Sequence, residues 1–344
     1  MGAEFTTLRA GAAAFVAFAL CLLAGPRVIR WLQSRRIRED ITKKDSKRLT
    51  EIHSTKKDTP TMGGLFMVAA ALAATAALSS LANLYVLATL GTVAVLWAVG
   101  YADDWIKLHH PKKHGMAGKP KLAFQCAAGL GLGLLLWKTG HPTTLAIPFA
   151  HMSVELGALY PAFAMLVMAA TSNAVNLTDG LDGLASGCFV AACLAYTIIL
   201  YVAGRPDFAA HVGIPYVRGA GELAIAGAAL TGATLGFMWF NCHPAQVFMG
   251  NTGSLPLGGA LATMALVSKQ ELVLVVIGAV FVVEALSVII QVVSFKTRGT
   301  RVFKIAPIHH HFQFEGLPEA KITARFWIMG AISALAGLAV MKAG

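Results

Sequence analysis

Charge is scarce in this sequence. Asp, Glu, Lys and Arg make up 13% of its 344 residues, against about 25% in an ordinary soluble domain. With 56% hydrophobic residues and a mean hydropathy of +0.66, a soluble globular protein is excluded. Acid is scarcer still: 17 Asp and Glu stand against 28 Lys and Arg, for a net charge of +11. Such an excess would suggest nucleic acid on a soluble face, but here the basic residues flank apolar runs, so no nucleic-acid partner is expected. The five cysteines, Cys21, Cys126, Cys188, Cys193 and Cys242, are odd in number and form no CxxC pair. That removes a disulfide framework and a zinc site. No GxxxxGK[ST] loop is present, so ATP hydrolysis is not indicated. Nor is an internal repeat evident, which counts against inverted-repeat transporters.

Long apolar runs are what the chain does have. A span needs about 20 mostly apolar residues, and ten candidates lie near 10–30, 62–82, 84–102, 121–138, 158–177, 184–204, 222–240, 253–268, 272–295 and 323–341. The fold class expected is therefore all-α, a polytopic membrane protein forming one transmembrane domain over residues 1–344. Its first span is expected to be uncleaved, because the basic residues follow the apolar run rather than precede it. Basic residues crowd the loops after the first, third and ninth spans, which puts those loops in the cytoplasm and both termini outside. On the outer side, TTLAIPFAHMSVEL alternates as two short strands of a hairpin.

The polar motifs all fall on the inner side. NAVNLTDGLDGLA, Asn173 to Ala185, closes one span with Asn173, Asn176, Asp179 and Asp182 before a glycine turn. A carboxylate at a span costs several kcal/mol unless a polar site surrounds it. GYADDWIK ends another span with Asp103 and Asp104 side by side and Lys107 one turn on. Adjacent acids suit a shared hard cation such as Mg²⁺, whose remaining shell water and substrate phosphates complete. HSTKKDTPTMGG, from His53, offers Lys56, Lys57, hydroxyls and glycine amides to phosphate. FNCHPAQVFMGNTGSL carries Asn241, His243, Phe248, Gly250 and Asn251, and APIHHHFQFEG carries His309, His310 and His311. Consecutive histidines cannot all face one ion from a helix or strand, so a polar substrate loop is the better reading than a metal site. The segment from Val302 to Phe314 mixes apolar and basic residues and suits the membrane interface.

Taken together, TPTMGG, GYADDWIK, NAVNLTDGLDGLA, the FMG-containing loop and PIHHHF resemble the polyprenyl-phosphate N-acetylhexosamine-1-phosphate transferase superfamily over nearly the whole chain. Within it they look like the branch acting on phospho-N-acetylmuramoyl-pentapeptide. The resemblance implies attack by undecaprenyl phosphate on the β-phosphate of UDP-N-acetylmuramoyl-pentapeptide. Lipid I and UMP would form with Mg²⁺ as cofactor, at the cytoplasmic helix ends of a homodimer in the bacterial inner membrane. It assigns Asp103 and Asp104 to the lipid phosphate and the metal, Lys57 and Lys121 to phosphates, and Asn173, Asn176, Asp179 and Asp182 to the nucleotide and diphosphate. Phe248 would stack near the uracil, and His309, His310 and His311 would contact the sugar-phosphate side.

One residue departs from the pattern. The resemblance implies a catalytic, Mg²⁺-binding aspartate where this chain has Asn251. An amide oxygen can bind a hard cation but brings no charge, so the expectation is retained substrate contacts with strongly impaired catalysis, as in a deliberately silenced site. Competing readings are a relative using UDP-N-acetylglucosamine, a secondary transporter and a catalytically silent membrane scaffold. Transporter acids lie near mid-bilayer, whereas these sit at helix ends.

Overall fold

A computed structural model of the chain describes residues 3–35, 37, 56, 58–109, 115–148 and 152–341. Lys57, His53 and most of the basic first inner loop lie outside the described residues. The helices are α1 (Ala3–Ser34), α2 (Gly64–Leu78), α3 (Leu84–His109), α4 (Gly118–Lys138), α5 (Tyr160–Thr178) and α6 (Leu184–Ala203). They continue with α7 (Pro206–Val212), α8 (Ala220–Asn241), α9 (Asn251–Ser268), α10 (Val273–Ile277), α11 (Ala279–Arg298), α12 (Ile308–Phe314) and α13 (Glu319–Met341). Between α4 and α5 the expected hairpin forms: β1 (Thr144–Ile147) pairs antiparallel with β2 (Met152–Glu155), in the register Thr144 to Glu155.

Among the described residues, eight helices are long and apolar enough to cross a membrane: α1, α3, α4, α5, α6, α8, α11 and α13. The chain is a polytopic membrane protein. Large side chains such as Leu166, Trp239 and Leu335 stand 63%, 65% and 67% exposed on these helices, the condition of a lipid-facing surface. Three of the ten expected spans differ from the rest. The one near 62–82 is α2, an apolar helix of only 15 residues. The one near 253–268 is α9, which contains Pro256 and in which every residue from Asn251 to Ser268 is buried. A third, near 272–295, is divided at Gly278 into α10 and α11.

α9 is the hub of the bundle. It packs against α2, α3, α5 and α6, with α8 touching it as well, and α8 in turn carries α1, α2 and α6. Because it meets protein on all sides, α9 can be rich in Gly, Ala and Ser without the apolarity that lipid contact demands. Small residues let the backbones approach closely. A Cβ on Gly64 of α2 would lie 2.2 Å from the Gly253 nitrogen, and one on Gly100 of α3 would lie 2.1 Å from the Asn251 carbonyl oxygen. The second approach sets the site, since Asp103 and Asp104 follow Gly100 by one helical turn. Gly100→Ala is expected to push α3 off α9 and cost about 1–3 kcal/mol, read as a lower thermal midpoint of the purified protein.

Candidate active site

Asp103 and Asp104 end α3 almost fully buried, at 1% and 4% exposure. Lys107 lies one turn on, so the i,i+4 and i,i+3 spacings bring its Nζ to 2.7 Å from Asp103 Oδ2 and 3.4 Å from Asp104 Oδ1. Asp104 is also held by the start of α9: Thr252 donates its backbone N–H (2.8 Å) and its hydroxyl (2.7 Å) to Oδ2. An anion at a helix N-terminus is favoured by the unpaired amides there. Gly250 makes this approach possible. Its φ of +72° suits glycine, and a Cβ there would lie 2.6 Å from Asp104 Oδ2.

Asp103 faces residue 251 directly. The Met116 amide donates to its Oδ1 at 2.7 Å, and Asn251 Nδ2 donates to its Oδ2. Asn251 Oδ1 points the other way and accepts from Asn176 Nδ2 at 2.6 Å, which ties α5 to α9. This geometry tests the implied metal. A cation shared between Asp103 and residue 251 needs oxygen from both, whereas Asn251 turns an N–H toward Asp103. The residues present therefore do not fit a Mg²⁺ bridging these two positions.

A second carboxylate cluster forms around Asp182, in the turn between α5 and α6. Lys56 Nζ is 2.6 Å from Asp182 Oδ1 and also pairs with Glu319 in the first turn of α13. Asp182 Oδ2 takes His243 Nδ1 at 3.0 Å and the Ala245 amide at 3.1 Å. Burial alone would raise the Asp182 carboxyl; the Lys56 ammonium and the donated hydrogen bonds outweigh it and hold the pKa below the usual carboxylate value. Asp182, His243 and Glu319 have ligand atoms within 4.8 Å of one another, as a metal site would. The Lys56 ammonium already lies between two of them.

The turn itself is fastened from two further helices, α8 and α13. Glu319 Oε1 accepts the Asp182 amide, Asn241 Oδ1 accepts the Gly183 amide and the Ser186 hydroxyl, and the Gly183 carbonyl accepts Trp327 Nε1. Phe248 lies below Lys56, its ring centroid 5.8 Å from Nζ.

The other expected site residues are more dispersed. Asn173 is spent on packing, with Nδ2 bonded to Gln125 Oε1 and the Ala169 carbonyl. Asp179 caps the end of α5, half-buried. The histidines of α12 each take a different partner, although the His309 and His310 rings lie 4.1 Å apart. His309 is fully buried, 3.0 Å from Glu284 of α11, and sits beside Gly180; His310 meets Gln313, and His311 accepts the Lys304 amide. Lys121 occupies the first turn of α4, with no described carboxylate at ion-pair distance. Lys56, Lys107, Thr252, His243 and Glu319 are site residues to which the resemblance assigned no role. For Glu319 the available signal was an acid directly after Pro318, at the entry to the last apolar run.

The sequence model of glycosyl transferase family 4 matches residues 86–269. Over 98% of its length the chain is 44% identical to the phospho-N-acetylmuramoyl-pentapeptide-transferase of Desulfovibrio desulfuricans, covering 94% of that protein. The chain belongs to glycosyl transferase family 4. The enzymes of the same name from Wolinella succinogenes (43%, covering 96%) and Methylacidiphilum infernorum (40%, covering 94%) align over the same 98%. The resemblance carried by the motifs thus extends over nearly the full chain. Members of this family are phospho-sugar transferases that typically need a divalent metal.

The Lys56 cluster yields a stability prediction. Lys56→Met leaves Asp182 and Glu319 facing each other with no cation between them, a loss of about 3–5 kcal/mol. Because the native Asp182 pKa is depressed, its stabilisation is complete above the ordinary carboxylate value and disappears as pH falls through the depressed one. Thermal midpoints measured from neutral to acid pH should therefore fall for the parent chain, with a flatter profile for Asp182→Asn.

Proposed function

We propose that this chain binds UDP-N-acetylmuramoyl-pentapeptide and undecaprenyl phosphate and serves their conversion to lipid I and UMP in peptidoglycan synthesis. The observation that carries this reading is the presence of two buried, lysine-neutralised carboxylate clusters at helix ends in a bundle whose outer faces are exposed and apolar. Such a site is reachable by a lipid phosphate from the bilayer and by a soluble nucleotide from water.

Phosphoryl transfer is mostly positioning and neutralisation of spreading charge, which ammonium groups and hydrogen-bond donors supply. Lys56, with Lys57 and Lys121, would bind the phosphates, and Phe248 would stack on the uracil. Asn173, Asn176, Asp179 and Asp182 would hold the nucleotide and diphosphate, and His309, His310 and His311 the sugar-phosphate side. Asp103 and Asp104 would orient the lipid phosphate, which is largely ionised at neutral pH and needs no strong base. Mg²⁺ is the ion proposed for a site with aspartate at position 251; with Asn251 present no step of the transfer is assigned to it.

With α2 and α9 counted as crossings there would be ten, so both termini would share one side; the basic loops would make that side the outside and set the site at the cytoplasmic face of the bacterial inner membrane. The assembly is proposed to be a homodimer.

UMP release from the two substrates, measured for the chain as it stands beside Asn251→Asp, tests the reading. The aspartate form is expected to be faster by at least roughly 100-fold, since even supporting residues around a metal cost 10- to 100-fold when lost. Equal rates would sink the role given to position 251, and no product from either would sink the transferase assignment.

A further inference from the structure

The hydrogen bonds around residue 251 all run outward from the Asn176 amide. Ser254 donates its hydroxyl to the Gly250 carbonyl at 3.1 Å; Asn176 Nδ2 donates to Ser254 Oγ at 2.8 Å and to Asn251 Oδ1 at 2.6 Å; Asn251 Nδ2 donates to Asp103 Oδ2. Both ends of this chain are groups that accept only, a backbone carbonyl and a carboxylate. An amide's oxygen and nitrogen are told apart by such partners. Turning Asn251 over sets its oxygen against the Asp103 carboxylate and its NH₂ against that of Asn176. Turning Asn176 as well sets its oxygen against the Ser254 hydroxyl, which must then leave Gly250. No rotation of one side chain alone presents the Asn251 oxygen to Asp103 without setting acceptor against acceptor and donor against donor.

We infer that the Asn251 amide takes the place of a divalent cation in this chain, closing the Asp103 site by hydrogen bonding so that the site is complete, and stable, without metal. The inference rests on the transferase reading only for which ion is replaced. Asp103 is 1% exposed and Asn251 8%, so bulk solvent does little to satisfy the carboxylate. An aspartate at 251 would still accept from Asn176, but its second oxygen would meet Asp103. Among the described residues, three carboxylates would then share the ammonium of Lys107, and like charges this close are kept ionised together by a further cation. Metal demand is thereby a property of the charge at position 251, while the surrounding network is already built.

The test needs no turnover, so its failure is distinct from failure of the transferase reading. The full-length protein in detergent is compared with Asn251→Asp for its thermal midpoint in EDTA and in millimolar MgCl₂, and for bound Mn²⁺ by electron paramagnetic resonance. The parent midpoint is expected to be the same in both solutions, with no Mn²⁺ held at the site. Asn251→Asp should melt lower in EDTA, recover in MgCl₂ and bind Mn²⁺ roughly 10-fold or more tightly than the parent. Asn176→Leu supplies a second route: it removes the donor that fixes the Asn251 oxygen, leaving the amide able to turn, and should give the chain a weak Mn²⁺ affinity with Asn251 in place. A parent chain stabilised by Mg²⁺, or binding Mn²⁺ as tightly as Asn251→Asp, overturns the inference. So does an Asn251→Asp protein that folds yet binds none. Should that variant not survive without metal, the parent and Asn176→Leu decide the matter between them.

Discussion

Carboxylates buried at the end of an apolar helix bundle must find positive partners within the chain, because little water reaches them. Asp103, Asp104 and Asp182 are each less than 5% exposed, and each meets both a lysine and at least one backbone amide. That demand fixes the relative placing of α3, α5, α9 and α13. The lysine of one cluster comes from the same helix as its acids; the lysine of the other comes from the segment before α2. The first is therefore local and rigid, while the second ties distant parts of the sequence to one turn.

Close backbone approach makes the first cluster possible. Gly100 lets α3 touch the first residue of α9, and Gly250 lets the start of α9 reach Asp104. The amides at that helix start then satisfy an acid that would otherwise be costly to bury. A fully buried helix of small residues does for the site what a long apolar span could not, since bulky side chains would hold α3 and α5 apart.

Much of this was legible in the sequence, for reasons of period and cost. Apolar runs of span length announce helices, and an acid beside such a run announces a site. That His309, His310 and His311 would not share one partner followed from helix geometry. Other features were not legible. Lys56 lies 126 positions before Asp182, and nothing local in the sequence pairs the two. Glu319 is separated from Asp182 by more than a hundred residues, and only packing of α13 on α6 brings them together. Asn173 has the same side chain as Asn176, yet one is consumed by Gln125 and the other reaches Asn251.

Composition and hydrophobic length by themselves determined a polytopic membrane protein, because lipid accepts only backbone that is bonded within its own helix. Motif content determined the family, since those short polar stretches recur with their order and surroundings intact. Tertiary structure alone decided that α9 is enclosed by protein rather than lipid, which lysine neutralises which acid, and that Asn251 presents its nitrogen rather than its oxygen to Asp103. Each of these depends on what lies on the far side of a side chain, and a linear sequence carries no record of that neighbour.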